Sequence, residues 1–281
     1  MDITDIINFS DYDRLLPLVT NSLLAGALLA LIGGLVGVFV MTRELSFAVH
    51  GIAELSFAGA AIFLLIGLDV VLGSVFGSLI AALIIALLGD KAKDRNSIVA
   101  VLMPFGLGLG ILALALYPGR AANKFGLLTG QIVAVDDPKL LSMALISLVV
   151  LVGILAIWRP LSFASLDVEV ARARGVNTRF LGIFFIMLLG LAVAAAVQIV
   201  GALLVLALLV TPAAAALRLS RSQLWVPVLS VVFALIAMLG GILLALGGGL
   251  PISPYVTTIA FLIYLVARAI EFTKKRLEVA K

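Results

Sequence analysis

Long apolar runs separated by short polar or charged stretches occupy most of the chain between residues 18 and 270. The runs are rich in Leu, Ala, Val, Ile and Gly, and they lack the alternation of lipid-facing and lumen-facing residues that marks a barrel strand. A hydrocarbon core about 30 Å thick is crossed by roughly 20 apolar helical residues. We therefore predict membrane-spanning helices at residues 18–40, 49–67, 70–89, 98–117, 139–158, 180–217, 224–247 and 253–270.

The run at residues 180–217 is long enough to cross a membrane twice. As a helix it would be about 57 Å long, close to two hydrocarbon thicknesses. Basic stretches flank it at Arg159–Arg179 and Arg218–Arg221, and short basic loops favour the cytoplasmic side. We predict a turn at Gln198–Gly201 and about nine crossings, with the N-terminus outside and the C-terminus cytoplasmic. One long tilted helix or a re-entrant pair is the alternative.

Composition agrees with this pattern and excludes several functions. Hydrophobic residues make up 64% of the chain and charged residues 12%, which is typical of an integral membrane protein. We predict an all-α polytopic bundle in which residues 1–281 form a single transmembrane domain. The chain has no cysteine, and it lacks a nucleotide phosphate loop, a nucleophile elbow and a dinucleotide fingerprint. We predict a transport protein rather than an enzyme, with no cofactor of its own and no nucleic-acid partner.

Glycines recur at spacings that allow close helix contact in lipid. The pairs are Gly33 with Gly37, Gly73 with Gly77, and Gly126 with Gly130, and we place Gly106, Gly108 and Gly110 on one helix face.

Residues 159–179 read RPLSFASLDVEVARARGVNTR. A proline near the start, an amphipathic stretch and Gly175 as a stop signal predict a short cytoplasmic helix. A solvated basic loop is the alternative from composition alone.

Four stretches of the chain carry motifs of a known family. The pattern Leu-Asp-x-Glu-x-Ala-x-x-x-Gly at residues 166–175 resembles the cytoplasmic coupling segment of permeases in the zinc, manganese and iron ABC-3 importer family. The run VGALLVLALLVTPAAAALRLS at 200–220 resembles another segment of this family and is the most specific of the four stretches. MPFGLGLGILAL at 103–114 resembles its glycine-bearing span, and FGLLTGQIVAVDDPKL at 125–140 resembles a further segment loosely.

The resemblance implies a type II ABC importer permease in the plasma membrane that works by alternating access. It implies a second copy of this chain, separate ABC ATPase subunits that hydrolyse ATP, an extracytoplasmic solute-binding protein that delivers the metal, and surrounding membrane lipid. On the same grounds, segment 159–179 is the ATPase coupling segment, with Asp167, Glu169, Arg172 and Gly175 as its candidate residues.

Two further residues are candidates for the pathway or for gating. Pro212 would free a carbonyl one turn earlier and kink its helix, which serves either gating or packing. Gln198 is either a pore-lining donor or an interhelical hydrogen-bonding residue.

The only histidine, His50, precedes Glu54 by one helical turn at the edge of an apolar run. Residues four apart share a helix face, and imidazole with carboxylate suits Zn²⁺, Mn²⁺ or Fe²⁺. Many family members carry Asp-x-x-x-His here, so this chain has the two ligand types in exchanged order. We predict a translocation site for a transported divalent metal, with a second chain completing it. A local ion pair or hydrogen bond between His50 and Glu54, with Arg43 and Glu44 nearby in an interfacial loop, is the alternative.

Two other functions stay open from the sequence. One is a permease of the same architecture for a metal chelate such as a siderophore, haem or cobalamin. The other is a secondary transporter in which Glu54 carries protons.

Overall fold

The computed structural model describes residues 12–89, 92–119, 135–202, 204–246 and 251–279, and all regular structure among these residues is helical. Within these ranges, eight helices are long and apolar enough to cross a membrane, which confirms the predicted class. In chain order the helices are α1 (Tyr12–Leu15), α2 (Thr20–Thr42), α3 (Ser46–Leu65), α4 (Val70–Leu88), α5 (Ala92–Leu116), α6 (Asp137–Leu166), α7 (Val168–Ala173), α8 (Thr178–Val200), α9 (Val205–Leu209), α10 (Thr211–Leu219), α11 (Trp225–Ala245) and α12 (Ile252–Val279).

The long apolar run at 180–217 is broken where the sequence predicts a turn. Helix α8 ends at Val200, and Gly201 adopts a φ of 78°, which only glycine accepts without strain. The remaining part consists of the short helices α9 and α10, which together would reach only about 22 Å if fully helical. The break removes the alternative of one long helix. A full crossing by Val205–Leu219 stays a prediction.

The described helices fall into two compact units. The first unit contains α2, α10, α11 and α12, with α10 packed against both α11 and α12. Gly37 of α2 lies against the carbonyl oxygen of Leu209, beside the break between α9 and α10. Gly34 lies against α11, where Ser230 donates a 2.7 Å hydrogen bond to the Gly34 carbonyl.

The second unit is arranged around α3, which packs against α4, α5 and α8. Gly73 and Gly77 of α4 lie against the backbone of α3 at Gly59 and Leu55, as small-residue spacing predicts. Close approach also brings the buried hydroxyls of Ser56 and Ser74 to 2.7 Å. This contact holds α3 and α4 at short range along their length.

The prediction that Gly106, Gly108 and Gly110 share one helix face is wrong for Gly108. Gly106 and Gly110 of α5 do pack against α3, but a Cβ on Gly108 would meet no atom within 4 Å. Residues two apart on a helix point in nearly opposite directions, so all three cannot share one face. Gly126 and Gly130 lie outside the described residues.

Candidate functional site

His50 and Glu54 lie one turn apart on α3, near its beginning. Glu44 precedes the helix with a φ of 56°, and this tight connection starts α3 directly after α2. The Nε2 atom of His50 is 3.7 Å from the Oε1 atom of Glu54. That separation fits an ion pair but exceeds a hydrogen-bond distance. The local pair weighed as an alternative is therefore present, in a loose form.

The pair leaves two polar atoms without partners. Nδ1 of His50 and Oε2 of Glu54 are both buried and make no hydrogen bond among the described residues. The Glu54 side chain is only 5% exposed and that of His50 is 26% exposed. An unpartnered buried carboxylate oxygen costs free energy, and Glu54 carries this cost within an apolar bundle.

Neighbouring helices enclose this part of α3. Gly106 of α5 lies against the backbone of Glu54 and Leu55, and Gly51 lies against Val99. Small residues at these contacts let α5 approach the turn that carries both ionisable groups. Glu54 thus faces protein rather than lipid.

Chemically, the pair offers a partial metal site. A neutral imidazole nitrogen and a carboxylate oxygen are ligands for Zn²⁺, Mn²⁺ and Fe²⁺. Within the described part of the chain, no group of three or more His, Cys, Asp or Glu residues is arranged to hold a metal. The described residues of one chain therefore supply two such ligands, which is fewer than a closed metal site needs.

Of the two further pathway candidates, Gln198 precedes the helix break at Gly201 and Pro212 follows it in the sequence. Gln198 lies in the last turn of α8, and its Nε2 atom is buried without a hydrogen-bond partner among the described residues. Pro212 is the buried second residue of α10. The predicted kink takes the form of a helix break, because Pro212 starts a helix and has no N–H to donate to the Leu208 carbonyl.

Segment 159–179 contains the predicted short helix, but its predicted start is wrong. Pro160 lies inside α6, which continues to Leu166. The short helix α7 begins after Asp167, whose carboxylate accepts a 3.0 Å hydrogen bond from the Val170 N–H. The side chain of Asp167 thus supplies the N-cap that starts the helix.

Gly175 ends α7 as predicted, with a φ of 84°. The Gly175 N–H donates to the Arg172 carbonyl and the Val176 N–H donates to the Ala171 carbonyl, at 3.0 and 3.1 Å. These two bonds form a Schellman motif. Three residues of the pattern therefore stabilise the local fold. Asp167 caps the start of α7, Gly175 ends it, and Ala171 is fully buried.

Glu169 and Arg172 differ from the capping residues because they face solvent. Their side chains are 81% and 62% exposed and form a 3.4 Å ion pair. Exposed ion pairs contribute little to stability. These two residues are therefore free to contact another protein.

A cluster of arginines that was not predicted from the sequence lies beside segment 159–179. Nη2 of Arg95 donates to the carbonyls of Arg43 and Glu44 at 3.3 and 3.4 Å, and Nη1 of Arg43 donates to the Ser165 hydroxyl at 3.4 Å. Burial, and to a smaller degree the positive charge of Arg95, lower the pKa of the Arg43 guanidinium below its ordinary value. Arg43 and Arg95 are 52 positions apart in the sequence, so their spacing does not predict that they meet.

Comparisons with known proteins agree with the predicted fold and family. The profile described as the ABC 3 transport family matches residues 16–271. A manganese transport system membrane protein of Listeria monocytogenes is 26% identical over 263 residues, covering 91% of this chain and 94% of the relative. A high-affinity zinc uptake system membrane protein of Haemophilus influenzae is 22% identical, covering 80% and 86%.

A solved structure has the same fold. The structure of PsaBC from Streptococcus pneumoniae in complex with Fab matches with a TM-score of 0.80 and 25% identity, covering 92% of each chain. The chain therefore resembles transport-system membrane proteins along nearly its whole length.

Proposed function

Since this chain belongs to the ABC 3 transport family, we propose that it is the membrane permease subunit of an importer for a divalent transition-metal ion. Manganese and zinc are the first candidates, because these are the ions in the names of its relatives. Iron is the third ion that the sequence resemblance implies. Separate ABC ATPase subunits would hydrolyse ATP, and an extracytoplasmic binding protein would deliver the ion.

The His50–Glu54 pair is the observation that carries the choice of cargo. It combines two metal-ligating side chains, near-complete burial of the carboxylate and two unpartnered ligand atoms. A permeating ion needs a site that is favourable to enter and weak enough to leave. Two ligands from a single chain suit such a transient site better than a tight structural one.

A second copy of the chain would complete the site. Two facing pairs would supply four ligands, which matches the coordination number that zinc favours in proteins. The transported ion would then lie on the axis between two copies and would be released as they move apart on one side. This arrangement is the basis of our proposed alternating access.

Helix α7 would transmit movement from the ATPase. Its capped ends and its fully buried Ala171 hold the short helix in place, while Glu169 and Arg172 remain exposed for contact. Positive residues near α7 and after α10 favour the cytoplasmic side. We therefore propose a plasma-membrane protein with its C-terminus in the cytoplasm and its N-terminus outside.

The proposal can be tested by uptake into proteoliposomes that contain the chain together with its ATPase and binding protein. Radioactive manganese, zinc and iron would each be supplied outside, with ATP or a non-hydrolysable analogue inside. We expect accumulation of one or two of these ions only with ATP.

The same vesicles distinguish the rival functions. Uptake driven by a proton gradient without ATPase would favour the secondary transporter. ATP-dependent uptake of a siderophore, haem or cobalamin complex, with no uptake of free ions, would favour the chelate permease. Either result would contradict the proposed function.

A further inference from the structure

A cavity of about 520 Å³ lies within the second unit, away from the His50–Glu54 pair. It forms where helices end: α2 and α4 finish at its wall, α3, α5 and α8 begin there, and the end of α6 leads into α7. Helix ends gathered at one level are expected near a membrane surface. We therefore expect the cavity at the depth of lipid headgroups, on the side that carries α7.

Four arginines line this cavity: Arg43, Arg95, Arg172 and Arg179. Few carboxylates lie close to these arginines. Glu44 interacts electrostatically with Arg95, and Glu169 forms an exposed ion pair with Arg172. Nε of Arg95 is buried and has no hydrogen-bond partner among the described residues. The guanidiniums therefore hold an excess of positive charge that the described residues do not neutralise.

Apolar side chains also line the cavity, among them Leu45, Ala86, Ile183 and Ile186. A lining that combines arginines with apolar side chains fits an amphipathic molecule with an anionic head. Basic pockets between transmembrane helices on the cytoplasmic side are known to bind anionic lipid headgroups.

We propose that this cavity binds a phosphate oxyanion, most simply the headgroup phosphate of an anionic phospholipid. Arginine guanidiniums form paired, charge-assisted hydrogen bonds with phosphate oxygens. The bound phosphate would bridge the connection between α2 and α3, helix α5, helix α7 and the start of α8. It would thereby fix the coupling helix against the unit that contains His50 and Glu54.

A carboxylate of the ATPase is a different occupant with the same sign of charge. The apolar part of the lining favours lipid over such a carboxylate, because acyl-chain carbons can pack against the partly exposed Ile183 whereas a carboxylate side chain offers little apolar surface. Burial of Arg43, which reaches Ser165 inside the cavity, also favours a small group that can penetrate below the surface. Free inorganic phosphate shares the recognised chemistry and is a separate arm of the test.

Binding to the purified full-length chain tests the proposal. Native mass spectrometry and thermal unfolding would be followed with phosphatidylglycerol, phosphatidylcholine or inorganic phosphate. Arg43→Gln and Arg179→Gln remove a half-buried and an exposed member of the cluster. Arg174→Gln is the matched control, because Arg174 is exposed on the same segment but does not line the cavity.

We expect phosphatidylglycerol to bind wild type and Arg174→Gln more tightly than phosphatidylcholine does, and to bind Arg179→Gln about tenfold more weakly. A stabilisation by inorganic phosphate that Arg179→Gln loses would support a free oxyanion as the occupant. Arg43→Gln should weaken binding similarly, and Arg179→Gln keeps the test valid if Arg43→Gln fails to fold.

Two results would overturn the proposal. The first is equal phosphatidylglycerol binding by wild type, Arg179→Gln and Arg174→Gln, with no effect of phosphate. The second is loss of ATPase co-purification in Arg179→Gln while lipid and phosphate binding stay at wild-type levels, which would assign the cavity to an ATPase carboxylate. Neither result depends on which metal is transported.

Discussion

The carbonyl oxygen of Leu209 lies against Gly37 so closely that a methyl group on Gly37 would overlap it. Leu209 is the last residue of α9, and Pro212 is the second residue of α10. Helix α2 therefore packs against the break between α9 and α10 rather than against a regular helix surface. Glycine is required because the backbone of the break takes the space that a side chain would fill.

Gly37→Ala is expected to destabilise the protein. The added methyl group forces α2 away from Leu209, and overpacking of this kind typically costs about 1–3 kcal/mol. Thermal unfolding in detergent measures the change. Gly108→Ala is the matched control, because the new methyl group would meet no described atom within 4 Å, and an equal effect of both changes would contradict the assignment.

Glu54→Gln is expected to abolish metal uptake without lowering stability. The wild-type carboxylate is buried with one oxygen unpartnered among the described residues, and such a group costs folding free energy rather than supplying it. Unfolding midpoints and uptake rates would be measured on the same preparation. A marked fall in the midpoint, with uptake lost only in proportion to folded protein, would assign the pair a structural role.

The two classes of residue on α7 are expected to respond differently. Asp167→Ala removes the N-cap, a loss of about 0.5–2 kcal/mol for a helix, and should weaken ATPase binding because α7 no longer holds its shape. Asp167→Ser keeps a capping oxygen and should bind nearly normally. Binding of the ATPase to immobilised permease measures this difference, and an equal defect in Asp167→Ser would show that the charge matters rather than the cap.

Glu169→Lys reverses an exposed charge and should weaken ATPase binding without unfolding α7. The ion pair that it breaks is exposed, so its loss costs little stability. Co-purification and ATPase stimulation provide the measurement. Wild-type coupling in Glu169→Lys would remove this residue from the proposed contact.

Metal stoichiometry is expected to be one ion for two chains. Each chain supplies His50 and Glu54, and the described residues contain no third ligand of the His, Cys, Asp or Glu type beside them. Titration of the purified permease with Mn²⁺ or Zn²⁺, combined with its mass in detergent, gives the ratio. One ion per chain in a monomeric protein would contradict the shared site.

Much of the helical pattern was predictable because apolar length decides which segments can cross a membrane. The end of α8 was also predictable, since Gln198 and Gly201 interrupt an apolar run. The fold differs where tertiary contacts outweigh local signals. Pro160 continues inside α6 instead of starting a helix, and Gly108 points away from the α3 contact that Gly106 and Gly110 make.

The candidate site was predictable in part for a similar reason. His50 and Glu54 are four residues apart, so their proximity follows from helix geometry alone. The meeting of Arg43, Arg95 and Arg179 depends on the packing of three separate helix ends, which spacing along the chain does not encode. Asp167 shows the reverse case, because its role as an N-cap became evident only once the true start of α7 was known.

The most direct measurement is ATP-driven uptake of manganese and zinc by proteoliposomes containing wild type, His50→Ala, Glu54→Gln or Ser147→Ala. Ser147 is the control, because its hydroxyl is likewise buried and unpartnered among the described residues but lies on α6. We predict uptake by wild type and Ser147→Ala, and uptake at background level in the other two variants. Wild-type uptake by Glu54→Gln, at equal protein in the vesicles, would contradict the proposed metal site.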